Sequence, residues 1–260
     1  MNKKVIILAH DFPPFDSVGA KRPASWFKKF KALGIEPLVI TRQWSDKNIN
    51  FLDTIKGSDN TYTLKERNSE GIIFRVPYLP DFKDRMILKY GMNHFVFLRK
   101  MISFVSLYFR FLFPIFDPTR NIYLAAEKYL KEEKCDFILA TGEPFILFKY
   151  ASQLSRKFKI PYIVDYRDGW TSNQSEQKRS LPEKMLSAFY KRQEQKYVKQ
   201  AAFISAAAPA YAGDLKKTFP NKEIKVIYNG FGKEVLDSIG KVEQQSDIFE
   251  IAYAGILYPY

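Results

Sequence analysis

Residues 4–44 read as one complete strand–loop–helix–strand unit, and few architectures accommodate such a unit. Val5-Ile6-Ile7-Leu8-Ala9 is an unbroken apolar run, the pattern of a parallel strand buried on both faces. Asp11, Phe12, Pro13, Pro14, Ser17 and Gly19 then form a loop that feeds a basic helix start at Lys21, Arg22 and Pro23. Pro23 suits the first helical position, where its missing N–H costs nothing. Ala24, Phe27, Phe30 and Leu33 follow the spacing of one buried helix face, with Trp26 beside them. Gly34 offers the left-handed residue that ends the helix, Pro37 prevents its resumption, and Leu38-Val39-Ile40 is the next strand. A small-residue turn between a strand's C-terminal end and a helix N-terminus is where open α/β sheets bind anions. The same turn also occurs without a ligand, in a purely structural role.

Bulk properties narrow the classes. A hydrophobic fraction of 46% over 260 residues supports a sizeable core. Cys135 is the only cysteine, which excludes a disulfide framework and a cysteine-based zinc site and suits a reducing cytoplasm. Met-Asn-Lys-Lys precedes only five apolar residues, too few for a signal-peptide core, which argues against secretion. The net charge of +13 calls for an anionic partner: a membrane surface, a nucleic acid or a phosphorylated ligand. Nucleic acid is disfavoured, because the charges are scattered and no helix-turn-helix, zinc finger or RNP-type motif is present.

Further along, Ser45 to Gly71 is polar and aperiodic and is expected to be loop and short irregular structure. Ile72 to Val76 is a strand stopped by Pro77. Residues 83–113 are rich in aromatics; at ~100° per residue Arg85, Lys89, Arg99, Lys100 and Arg110 share one sector of a helical wheel. A basic stripe facing a broad aromatic surface suits a helix lying in a membrane interface, or an amphipathic helix, broken near Gly91, packed on its own domain. It does not span, since no stretch of about 20 residues is free of charge. Strands and helices then alternate: helix 121–134, strand 135–140, helix 144–159, strand 161–165, helix 182–200, strand 201–206, helix 209–218 and strand 224–228.

That alternation predicts an α/β fold, a Rossmann-like doubly wound parallel sheet with helices on both faces. Its strand C-terminal ends carry His10-Asp11, Thr41-Arg42, Thr141-Gly142, Asp165 to Asp168 and Asn229-Gly230. In such a sheet these ends share one rim. Residues 1–232 are expected to form this domain and 233–247 a linker. Residues 248–260, with Phe249 to Gly255 as a fresh strand, are expected to open a second domain cut at its first element.

The blocks HDFPPFDSVGAKRP, ITRQW, TGEPF, PYIVDYRDGW, IYNGF and AYAGILYP occur in one order along nearly the whole chain. In this the chain resembles the N-terminal half of a bacterial glycosyltransferase family 4 enzyme with the two-domain GT-B fold. The resemblance implies a metal-independent, retaining transfer from a nucleotide-sugar, held by the absent C-terminal domain, to a glycan or polyprenyl-diphosphate-linked acceptor. It implies no cofactor, a role in cell-surface polysaccharide synthesis, and a cytoplasmic place on the inner face of the membrane, docked on anionic lipid through Arg85, Lys89, Arg99, Lys100 and Arg110.

By the same resemblance Ser17, Val18, Gly19 and Ala20 match the glycine-rich loop beside the sugar diphosphate, with Arg22 following; Ala20 replaces a frequent second glycine. Asp165 and Asp168 are the carboxylates for accepting an acceptor hydroxyl's proton, since Arg167 stands where many relatives have histidine. Asp168 pairing with Arg167 is the alternative. His10, Phe12, Thr141, Gly142, Glu143, Arg167, Trp170, Asn229 and Gly230 are the acceptor-side candidates; core packing competes for Phe12 and Trp170, and helix capping for Glu143. Two rivals stand beside this reading: a non-catalytic module binding membrane or glycan, and a nucleotide-dependent Rossmann enzyme. The first loop lacks the G-x-G-x-x-G spacing that the latter requires.

Overall fold

The computed structural model of the protein describes residues 3–45, 50–113, 116–171 and 180–230, with 232, 237 and 249 besides. The chain divides into two units, Met1–Tyr228 and Asn229–Tyr260. The linker and fresh strand expected over 233–260 lie, but for residues 237 and 249, outside the described residues.

In the first unit, strands β1 (Lys3–Leu8), β2 (Ile35–Arg42), β3 (Leu64–Arg67), β4 (Ile72–Val76), β5 (Phe137–Gly142), β6 (Tyr162–Tyr166), β7 (Ile204–Ala206) and β8 (Ile224–Val226) form one sheet. Its order is β3-β4-β2-β1-β5-β6-β7-β8. Every described pairing is parallel except β3 with β4. The pleat sends alternate residues of β1 to opposite faces. Ile6 and Leu8 join a cluster with α5 (Arg120–Glu132), α6 (Ile146–Phe158), α7 (Leu181–Val198) and α8 (Pro209–Thr218). Val5 and Ile7 join a smaller cluster with α1 (Val18–Phe30). All four of these β1 residues are buried, each contributing about 1.5–3 kcal/mol by leaving water. The Rossmann-like doubly wound α/β architecture read from the strand and helix alternation is the one observed.

Two local departures have physical reasons. First, α1 starts at Val18, five residues before the position expected from Pro23, because Ser17 accepts a hydrogen bond from the Ala20 N–H and caps the helix. Pro23 therefore sits inside the helix and deprives the Gly19 carbonyl of its usual donor. Beyond α1 a single 3₁₀ turn, Lys31–Leu33, leaves Leu33 exposed, not on the buried face, and Gly34 ends the run at φ 73°. Second, the polar stretch after Ser45 contains α2 (Phe51–Ile55) and strand β3. Three of the four β3 residues are charged, so no apolar alternation announces it; such an edge strand resists pairing with another chain.

Between β4 and β5 the chain forms α3 (Phe82–Tyr90) and α4 (Val96–Leu112). Asp81 caps α3 by accepting from the Asp84 N–H, and Gly91 ends it. The non-helical residues from Gly91 to Phe95 reset the helical phase, so the basic residues of 83–113 do not form one continuous stripe. No helix among the described residues is long and apolar enough to cross a membrane.

Candidate functional site

After β1 the chain turns to β2 on one side; from β5 it proceeds through β6, β7 and β8 on the other. The boundary between β1 and β5 is therefore the topological switch point, where the two following connections leave a crevice above the strand C-termini. The loop from His10 to Ser17 forms one wall and the Gly142 to Phe145 turn the other.

Arg167, just beyond β6, spans that crevice. Its Nε donates to the Gly142 carbonyl at 2.7 Å and its Nη2 to the Glu143 carbonyl at 3.2 Å. Its Nη1 lies 3.9 Å from Asp11 Oδ2. Gly19 makes this placement possible: a Cβ there would fall 1.8 Å from Arg167 Nη1 and 2.4 Å from Asp11 Oδ2. Glycine here allows the close approach of both side chains, which a Cβ would push away; it is not needed for an unusual φ.

Asp11 links the rest of the wall. Ser17 Oγ donates to its Oδ2 at 3.1 Å, and His10 Nδ1 lies 2.8 Å from its Oδ1. Burial lowers the pKa of His10 against the opposing pull of Asp11, which favours the neutral imidazole. Burial works to raise that of Asp11, but His10, the Arg167 charge and the Ser17 hydroxyl prevail and hold the carboxyl below its ordinary range. The crevice thus brings together an ionised carboxylate, a neutral histidine, the Arg167 guanidinium from beyond β6 and the positive end of the α1 dipole.

Asp165 sits deeper and is fully buried. Its oxygens accept from Arg22 Nε at 2.9 and 3.0 Å, Arg22 Nη2 at 2.7 Å, Thr141 Oγ1 at 3.0 Å and Ser205 Oγ at 2.6 Å. Arg22, also buried, donates through Nη1 to the Ile227 carbonyl. The pair therefore fastens α1 to β5, β6, β7 and the end of β8. That arrangement leaves Asp165 engaged on all sides, whereas Asp168 is exposed beyond the strand.

The other predicted residues separate by depth. Phe12 lies in the α1-side core, edge-on to Phe27. Trp170 stacks on Phe145 and Phe111 and is buried, so core packing is its role. Thr141 and Gly142 are buried, Glu143 and Val18 are exposed, and Ala20 is buried beneath Ser17. Asn229 and Gly230 belong to the second unit. On the amphipathic segment Arg85, Lys89 and Lys100 are exposed, and Arg99 is folded onto the Met92 and His94 carbonyls. Arg110 departs from the expected stripe: it turns inward to Asp117 at 2.7 Å, a fully buried carboxylate that also accepts from Thr119 and Tyr150.

An aromatic group at the same rim escaped the sequence reading. Trp44 and Tyr78 sandwich the Arg42 guanidinium at 3.9 and 3.7 Å, and both rings lie edge-on to His10. Burial lowers the Arg42 pKa to about 10, so the side chain is a cation at neutral pH. Phe15 stacks on the far side of this group, 4.1 Å from Trp44. The signal available was the ITRQW block at the end of β2, whose Arg and Trp are two apart and so share one face.

No known protein family's sequence profile matches the chain, and no functionally curated protein matches it in sequence. Among solved structures the chain is similar to the catalytic domain of starch synthase IV from Arabidopsis thaliana, solved with ADP and acarbose bound. The two share 12% identity at a TM-score of 0.50, over 89% of this chain and 52% of that one. A sucrose-phosphate synthase from Thermosynechococcus elongatus aligns at 11% identity and TM-score 0.49, over 90% of this chain and 93% of that one. An α,α-trehalose 6-phosphate synthase from Burkholderia multivorans aligns at 10% and 0.43, over 84% and 42%. This chain thus spans about half of the starch synthase catalytic domain, 52%. The likeness establishes the fold, a Rossmann-like α/β domain of the GT-B kind.

Proposed function

We propose that this chain is the acceptor-side domain of a glycosyltransferase that moves a sugar from a nucleotide-sugar to a glycan or lipid-linked acceptor in cell-surface polysaccharide synthesis. The observation that carries the reading is the bridge made by Arg167 from the Gly142 and Glu143 carbonyls to Asp11, against the Gly19 backbone at the start of α1. It gathers a guanidinium and a helix N-terminus at the switch point, a combination suited to a diphosphate leaving group. A starch synthase of the same fold, solved with ADP, supports a nucleotide diphosphate as that group.

In this proposal the α1 first turn and Arg167 face the donor diphosphate and supply the positive charge a metal would otherwise bring; retention rests on the resemblance to the family. His10 and Glu143 present hydroxyl-binding groups to the acceptor, and Phe15, backed by the buried Trp44, presents sugar-stacking surface. Asp165, engaged with Arg22, Thr141 and Ser205, holds the wall in place; Asp168 is the carboxylate exposed to receive a proton.

The test is transfer of labelled sugar from a panel of UDP-, GDP- and ADP-sugars into lipid and glycan acceptors. Linked to a donor-binding domain, the chain is expected to transfer label, and Arg167→Ala to abolish it. Absence of transfer with every donor would overturn the reading. Turnover by the 260 residues alone would overturn the division of labour between two domains.

A further inference from the structure

Helix α4 is built as though water were not its surroundings. Its sequence, VFLRKMISFVSLYFRFL, contains no acidic residue, and only Phe111 of its side chains is buried. A surface helix of a globular protein turns its apolar stripe to the core. Here Phe97 is 78% exposed and Met101 53%, with Leu98, Val105, Phe109 and Leu112 exposed as well. Contiguous apolar surface of this kind marks an interaction site.

Between α3 and α4 the surface sinks into a groove of about 710 Å³, floored by Leu79, Phe82, Leu98, Met101, Val105 and Phe109. That volume falls within the roughly 300–1,000 Å³ range of ligand pockets. Arg85 and Arg120 stand along it with Lys83, which is paired with Asp84 at 3.4 Å, and the two acids that line it are engaged: Asp81 caps α3 and Asp117 is bonded to Arg110, Thr119 and Tyr150. An apolar floor under a cationic margin complements an anionic amphiphile. The groove also adjoins the candidate site. Leu79 follows Tyr78, whose ring is 6.2 Å from that of His10 and 3.7 Å from the Arg42 guanidinium.

We propose that the exposed face of α4 docks on an anionic phospholipid bilayer, with one lipid chain lying in the α3–α4 groove and its head group at Lys83, Arg85 and Arg120. The helix lies in the interface and does not cross it. Under the glycosyl-transfer reading, on which this consequence alone depends, a lipid-linked acceptor seated there delivers its head to the His10 rim. The substrate class is then an amphiphile with an anionic head.

The experiment uses the chain itself and vesicles of phosphatidylcholine with or without phosphatidylglycerol. Sedimentation is expected with the anionic vesicles only, weakening as salt rises from about 0.1 to 0.5 M. The double substitution F97E/M101E is expected to reduce partitioning at least about tenfold without altering the melting curve, since both side chains are exposed. Tryptophan placed by F97W, read against an otherwise identical chain in which Trp26, Trp44 and Trp170 report the background, is expected to be quenched by brominated lipid. Equal binding to neutral vesicles, full binding by F97E/M101E, or no quenching at position 97 would overturn the proposal. So would a solution dimer that F97E/M101E dissolves, which would assign the face to a second copy. Vesicle binding without any sugar transfer would leave the docking intact and defeat only the functional reading.

Discussion

Replacing Asp165 by Asn separates a structural carboxylate from a proton acceptor. The change keeps the volume but removes the charge opposite Arg22, whose side chain is 5% exposed. It also turns one oxygen that accepts from Arg22, Thr141 or Ser205 into a donor. Removing one partner of a buried ion pair costs about 3–5 kcal/mol, because the remaining charge stays desolvated. Asn retains one acceptor oxygen, so the lower figure, about 3 kcal/mol, is expected. For a domain of this size that corresponds to a fall in melting temperature of roughly 6–12 °C. Scanning calorimetry of the variant measures it directly, and urea midpoints check that the transition remains a single one. The double replacement R22M/D165L, which removes both charges, is expected to recover part of the loss. A D165N protein melting within about 2 °C of the parent would show that Asp165 does not hold α1 to the sheet through Arg22. With activity lost at the same time, it would return Asp165 to the list of proton acceptors.

Gly19→Ala places a methyl group on Arg167 and Asp11; because the guanidinium end can swing away, the melting temperature is expected to change little while affinity for pyrophosphate falls about tenfold or more. His10, kept neutral by burial, has a lowered pKa in the folded chain. Below the ordinary value of about 6.5 the unfolded chain binds the extra proton and the folded chain does not, so stability falls as pH drops from there through the folded pKa. His10→Gln is expected to flatten that part of the dependence, and parallel melting curves between about pH 7.5 and 5 check it. A parent whose stability in that interval matches the variant's at every pH would show that His10 is not held neutral.

The sheet was readable because its central strands are apolar runs closed by Gly, Pro or polar residues, and the longer helices between them carry a 3.6-residue period, which the five-residue α2 is too short to show. β3 was not, because Leu-Lys-Glu-Arg on a solvated edge has no reason to alternate. The start of α1 was misplaced because Pro23 resembles a first helical residue, while Ser17, the true cap, lay in a stretch that reads equally well as a loop. At the site, the rim residues were visible as polar endings of strands, but which of them touch was not. Asp165 and Arg22 are 143 positions apart in the chain, and their pairing depends on strand order, which no local pattern encodes. Trp170 showed the limit of residue type as evidence: an aromatic beside a polar cluster packs inward onto Phe145 and Phe111.

Titrating the ¹⁵N-labelled chain with nucleoside diphosphates and their sugar conjugates decides whether the switch-point crevice receives a nucleoside diphosphate beside α1. Amide shifts are expected centred on Ser17 to Ala20 and on Gly142, weak in affinity and lost in Arg167→Ala. Amides that stay unmoved at millimolar ligand, or shifts confined to the opposite end of the strands around Lys4, Lys65 and Tyr129, would contradict it.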